Sequence, residues 1–126
     1  MAHIWWTCPR VRRLWIRIYA LLRNIFQVTL KKDPYEALLC KPIPDLTRAQ
    51  RQLAQHLFTA TKLTIARSWK TPLLSFEAAK NRMNDILVNE KFTAIVSDSH
   101  AKFLKAWDPW ISNVAPSRFQ TTLLSL

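Results

Sequence analysis

An all-α fold is what this chain predicts, and three observations predict it. There is no glycine among its 126 residues, where average usage of about 7% would give roughly nine. Long stretches carry apolar residues at three- and four-residue spacing, the period of an amphipathic helix. Prolines punctuate the chain mostly between those stretches. Without glycine, type I′ hairpins, Gly-rich dinucleotide turns and P-loops lose the residue that their backbone requires. Helix ends are expected to use Asn, Ser or Pro where glycine normally takes the left-handed turn. With 49% hydrophobic and 21% charged residues, the composition is globular, and the length suits one domain with a real core.

The first helix is expected from Pro9 to Gln27. Thr7 or Cys8 stands at its N-cap, and proline suits the first helical position because no intrahelical donor is needed there. Val11, Leu14, Trp15, Ile18, Leu21, Leu22, Ile25 and Phe26 form one wide stripe, and Arg10, Arg13, Arg17 and Arg23 fall off it. Lys31-Lys32-Asp33-Pro34 breaks the pattern, with Asp33 capping a short turn through Leu39. Pro42 and Pro44 then stiffen a connector. A second helix, capped by Asp45 or Thr47, reaches Trp69. Its apolar members Leu53, Ala54, Leu57, Phe58, Ala60, Leu63, Ile65 and Ala66 spread round the axis, marking it as the most buried element. Ser75 opens a third helix through Met83, Ile86 and Leu87 to Ile95. Ser97 or Asp98 caps a fourth carrying Phe103, Leu104, Trp107 and Ile111, which Pro109 should break or kink. That break would leave Trp107 or Trp110 exposed. Residues 113–126 read as a loose tail.

The formal net charge of +11 is unevenly placed. Residues 1–32 hold seven basic side chains (Arg10, Arg12, Arg13, Arg17, Arg23, Lys31 and Lys32) and no acid, whereas residues 75–110 balance five against five. A solvated helix face ordinarily mixes both signs, so an acid-free one favours a polyanionic partner, either nucleic acid or an anionic membrane. No apolar run approaches the ~18 residues of a membrane span. Two cysteines, Cys8 and Cys40, are too few for a disulfide scaffold, which suits the reducing nucleus or cytoplasm.

Catalytic signals are weak. The eight acids form no close pair of the kind that glycoside hydrolysis or two-metal chemistry uses, and a Gly-x-Ser-x-Gly elbow is ruled out by composition. Pairing Cys8 or Cys40 with His56 or His100 as nucleophile and base has nothing but residue type in its favour. Neither an enzyme nor a small-molecule substrate is expected. His3 and Cys8 have the separation of two zinc ligands, yet structural zinc takes four. Met1 stands two residues ahead of His3, so the reading expects a truncated half-site without zinc or any other cofactor. Trp5 and Trp6 between them can shield a metal from water, stack on bases or pack on the helices.

Four blocks, His3-Ile4-Trp5-Trp6-Thr7-Cys8-Pro9, the basic helix with Leu14-Trp15, Thr64-Ile65-Ala66-Arg67-Ser68-Trp69-Lys70-Thr71-Pro72 and Phe103-Leu104-Lys105-Ala106-Trp107-Asp108-Pro109-Trp110, occur in that order. In this they resemble the C-terminal region of the second-open-reading-frame protein of LINE-type (non-LTR) retrotransposons, a reverse transcriptase polyprotein. The resemblance covers residues 3–112. It implies an upstream endonuclease and reverse transcriptase, and a knuckle of pattern Cys-x3-Cys-x7-His-x4-Cys implicated in template RNA binding. His3 matches the knuckle's histidine and Cys8 its last cysteine, while the first two cysteines have no counterpart. Neither polymerase nor endonuclease residues are present.

The expected organisation is therefore a half-knuckle remnant over residues 1–8, a single domain of about four helices over 9–112, and a tail over 113–126. The expected function is non-catalytic binding of RNA or DNA backbone through Arg10, Arg12, Arg13 and Arg17, helped by Lys31 and Lys32. The alternatives are a mitochondrial or membrane-surface protein directed by its Arg-rich amphipathic start, and a retroelement fragment without selected function.

Overall fold

In the computed structural model, residues 6, 8–39, 41, 43–68 and 75–114 are described. Five helices carry them: α1 (Pro9–Phe26), α2 (Pro34–Leu39), α3 (Arg48–Ser68), α4 (Phe76–Val96) and α5 (His100–Asn113). There is no strand among the described residues. The four expected helices are α1, α3, α4 and α5. The expected short turn after Asp33 is the fifth helix, α2, closed by the Ala37 amide donating to the Asp33 carbonyl at 3.1 Å.

The caps follow side-chain chemistry, with exceptions. Thr47 and Gln50 form a reciprocal capping box before α3: the Gln50 amide donates to Thr47 Oγ1 at 3.2 Å, and the Thr47 amide donates to Gln50 Oε1 at 2.9 Å. Ser75 Oγ accepts from the Ala78 amide at 3.1 Å and caps α4. Cys8 holds the N-cap position of α1 without a side-chain hydrogen bond. The N-cap of α5 is Ser99, not Ser97 or Asp98.

Asp98 has a different task. Its φ of 57° is left-handed, the Ser99 amide donates to the Ala94 carbonyl at 2.8 Å, and the Asp98 amide donates to the Ile95 carbonyl at 3.3 Å. That is a Schellman ending with aspartate in the glycine position. Gln27 closes α1 likewise at φ 57°, ψ 37°, and its Nε2 donates to the Asn24 carbonyl at 2.6 Å. Gln and Asp, rather than the expected Asn, Ser or Pro, thus take the turns that a glycine-free chain must make. The Gln27 side chain, bonded to the backbone of its own helix, offsets part of the steric penalty there, and aspartate is among the few residues other than glycine that enter this region readily.

The chain parts within α4 into two compact units, Met1–Met83 and Asn84–Leu126. In the first, α3 is the central element and packs against α1 and α2. Leu53, Ala54, Leu57, Phe58, Ala60 and Ile65 are buried, but Leu63 and Ala66 are exposed. At 100° per residue those two fall outside the arc spanned by the others, and Thr61 and Thr64 fill it instead. Both threonines are fully buried. Each donates its hydroxyl one turn back, to Leu57 O at 2.8 Å and Ala60 O at 2.9 Å, which leaves a methyl group to pack in the core.

Phe58 meets two residues of α1, with ring centroids 6.0 Å from Trp15 and 5.5 Å from Tyr19. Trp6 joins the cluster at 5.4 Å from Trp15 and 6.4 Å from Tyr19. Of the uses open to the opening indoles, Trp6 thus packs on α1; Trp5 lies outside the described residues.

In the second unit, Leu87 and Ala94 of α4 and Phe103, Trp107, Trp110 and Ile111 of α5 are buried. Trp110 Nε1 donates to Asn84 Oδ1 at 2.8 Å, so a fully buried indole keeps its polar partner. Neither tryptophan flanking Pro109 is exposed, contrary to expectation, because α5 runs on through Pro109 to Asn113. The carbonyl that proline leaves without a donor belongs to Lys105, an exposed residue on the water side. Asn113, expected in the tail, is the last residue of α5; residues 115–126 lie outside the described residues. No described helix is long and apolar enough to cross a membrane.

Replacing Phe58 by alanine should lower unfolding stability by ~3–5 kcal/mol, the range for emptying an aromatic core site. Leu63→Ala, at a position 45% exposed, should change it by under about 1 kcal/mol. Urea denaturation followed by circular dichroism measures both, and equal losses would contradict this orientation of α3.

Candidate nucleic-acid interface

Burial of one face of α1 decides where its arginines go. Val11, Leu14, Trp15, Ile18, Tyr19, Leu22, Ile25 and Phe26 face the core, which turns the opposite arc to water. Arg12, Arg13 and Arg17 are exposed there, and Arg10 is half-buried at its edge. Helical geometry divides the four. Arg10, Arg13 and Arg17, at i, i+3 and i+7, share one side along roughly 10 Å of axis, while Arg12 lies about 160° round from Arg10. Three of the four expected arginines therefore form a stripe, and Arg12 flanks it.

Arg17 is also engaged. Its guanidinium carbon lies 4.4 Å from the centroid of Phe76, the first residue of α4, and Lys80 Nζ lies 5.0 Å from the same centroid. Lys80 in turn pairs with Glu77 at 2.7 Å, and the Glu77 side chain is 70% exposed. Phe76 was not singled out from the sequence. Its only signal there is position, directly after the helix-capping Ser75.

Other basic side chains have structural work. Arg23 Nε donates to the Leu30 carbonyl at 2.8 Å, Arg51 Nε to Ile43 O at 2.9 Å and Lys62 Nζ to Leu38 O at 3.3 Å. Each ties the stretch between α1 and α3 to a long helix. Lys31 and Lys32 are exposed in that stretch. They line an open groove of about 560 Å³ together with Asp33, Glu36 and Asp45, so their surroundings are mixed in sign, unlike those of the α1 stripe.

Beside the groove, the Tyr19 hydroxyl donates to the Asp33 carbonyl at 3.3 Å and accepts from the Asp33 amide at 3.4 Å. Burial pushes its ionisation well above the ordinary tyrosine range, and the neighbouring Glu36 and Asp33 charges add to this. Glu36 is raised above the usual carboxylate range, first by burial and then by Asp33, against the pull of Lys41 and of the nearby Tyr19 hydroxyl.

Of the proposed zinc half-site, Cys8 is a half-buried free thiol. His3 lies outside the described residues, as does Cys40. No group of three His, Cys, Asp or Glu among the described residues could hold a metal ion. No protein-family model and no solved structure matches this chain. The charge divides with the two units: residues 1–83 hold fifteen basic and four acidic side chains, and residues 84–126 hold four of each. The whole net charge thus belongs to the unit that carries the arginine stripe.

Because the folded state raises the Glu36 pKa, it binds more protons than the unfolded chain just above pH 4, so this group's contribution to stability falls as pH rises through that window. Glu36→Gln should remove that part of the pH dependence. The variant should match the parent below about pH 4 and exceed it in stability at pH 7. Thermal melts across pH 3–8 check this, and a glutamine variant less stable at neutral pH would refute it.

Proposed function

We propose that this chain is a non-catalytic module that binds the backbone of RNA or DNA through the outward side of α1, related to the C-terminal region of LINE-type retrotransposon reverse transcriptase proteins and working in the nucleus or cytoplasm. The observation that carries the binding reading is the acid-free, water-facing arc of α1, on which no ion pair among the described residues engages Arg12, Arg13 or Arg17. Arginines without a carboxylate partner keep their charge and fork geometry for phosphate. The retroelement ancestry rests on the four ordered sequence blocks alone.

A membrane-surface role for the same helix has a physical obstacle. Its apolar face packs in the core, with Trp15 and Tyr19 against Phe58 of α3, so lying in a lipid interface would require α1 to leave that core.

Three or four phosphate contacts imply an affinity that falls with salt at a log–log slope of about −2 to −4. Filter binding of RNA and DNA oligonucleotides at several salt concentrations measures it. Reversing Arg10, Arg13 and Arg17 to glutamate should abolish binding at 150 mM salt, whereas Lys102→Glu and Lys105→Glu in the neutral unit should not. Affinity that ignores salt would falsify the reading.

A further inference from the structure

Resting on that reading, we infer that the ligand is single-stranded nucleic acid and that Phe76 is the platform on which one of its bases stacks. The arginine stripe leads along α1 to Arg17, and Arg17 rests on the Phe76 ring. Lys80 comes to the same ring, so two cations and an aromatic surface meet at one end of the phosphate track. A positive track ending at an aromatic ring is the combination by which proteins hold unpaired strands, since every base has a π-face and every nucleotide a phosphate. A duplex keeps its bases stacked on one another and offers this ring nothing.

The exchange runs downhill. The solvent-exposed Arg17 guanidinium contributes less over the ring than a stacked base does, and the displaced guanidinium and ammonium each gain a phosphate. Glu77 opposes this through its pair with Lys80, but its side chain is 70% exposed and can turn away into water. Phe76 is half-buried, so a base that moves Arg17 aside takes over an anchored surface.

The test is fluorescence anisotropy with a labelled single-stranded 12-mer and a duplex of the same sequence, at two salt concentrations. The proteins compared are the parent chain, Phe76→Ala and Phe76→Trp, each checked for folding by its thermal melt. Phe76→Ala should weaken single-strand binding about tenfold, leave duplex binding within about twofold and keep the salt slope unchanged. Phe76→Trp should retain or improve single-strand affinity, a rescue that keeps the test decisive if the alanine variant folds poorly. Parental binding to both ligands with Phe76→Trp no better than Phe76→Ala, or with equal losses on strand and duplex, overturns the stacking role and leaves backbone binding intact. A parent chain that binds neither ligand overturns both.

Discussion

The packing of Trp15 and Tyr19 of α1 on Phe58 of α3 sets the rotation of α1, and much else follows from that rotation. Aromatic pairs of this kind contribute about 0.5–1.5 kcal/mol each beyond the area they bury, but their greater effect is geometric. Once two large rings four residues apart point at α3, the arginines between and around them must point away. Tyr19 extends the same constraint, because its hydroxyl then meets both backbone groups of Asp33. That contact places the start of α2 and one wall of the mixed-charge groove. One cluster thus exposes a positive face and, by a single hydroxyl, positions the main concentration of negative charge in its unit.

The stretch between α1 and α3 shows how a glycine-free chain with several prolines satisfies an irregular backbone. Carbonyls of Leu30, Leu38 and Ile43 accept from Arg23, Lys62 and Arg51, long side chains that reach where regular hydrogen bonds do not. These cations belong to the fold. Counting them with Arg12, Arg13 and Arg17 as one basic surface would overstate the interface, since a side chain bound to a carbonyl is not available to phosphate without loosening the segment it holds.

Much of this was legible in the sequence, and the misses have physical causes. The helical period of residues 11–26 located α1 and its buried face closely. Thr47 with Gln50 and Ser75 with Ala78 began α3 and α4 as side-chain capping requires. The period failed where polarity misled: Thr61 and Thr64 count as polar by composition, yet each satisfies its hydroxyl one turn back and buries the rest. Asp98 suggested an N-cap and instead ends the preceding helix, because a left-handed position without glycine favours the same short polar residues that caps do. Pro109 suggested a break, but losing one solvent-side hydrogen bond is outweighed when Phe103, Trp107, Trp110 and Ile111 are buried along the same helix. For the site, the arginines could be named from charge alone. Their division into a stripe and an outlier needed the helix rotation, and the meeting of Arg17 with Phe76 joins residues 59 positions apart, which no local pattern encodes.

That meeting bears on why a positive helix tolerates its own charge. Arg10, Arg13 and Arg17 crowd one side of α1, and like charges one turn apart repel, mildly in water and more so at low salt. A salt bridge would relieve the repulsion by neutralising the surface. Resting Arg17 on Phe76 relieves it differently, since the ring's quadrupole attracts the cation without cancelling its charge. Glu77, the residue after Phe76, pairs with Lys80 and stays largely in water. The fold therefore steadies the cation at the end of the stripe while keeping it available to an anion, a compromise that an acidic partner on α1 could not provide.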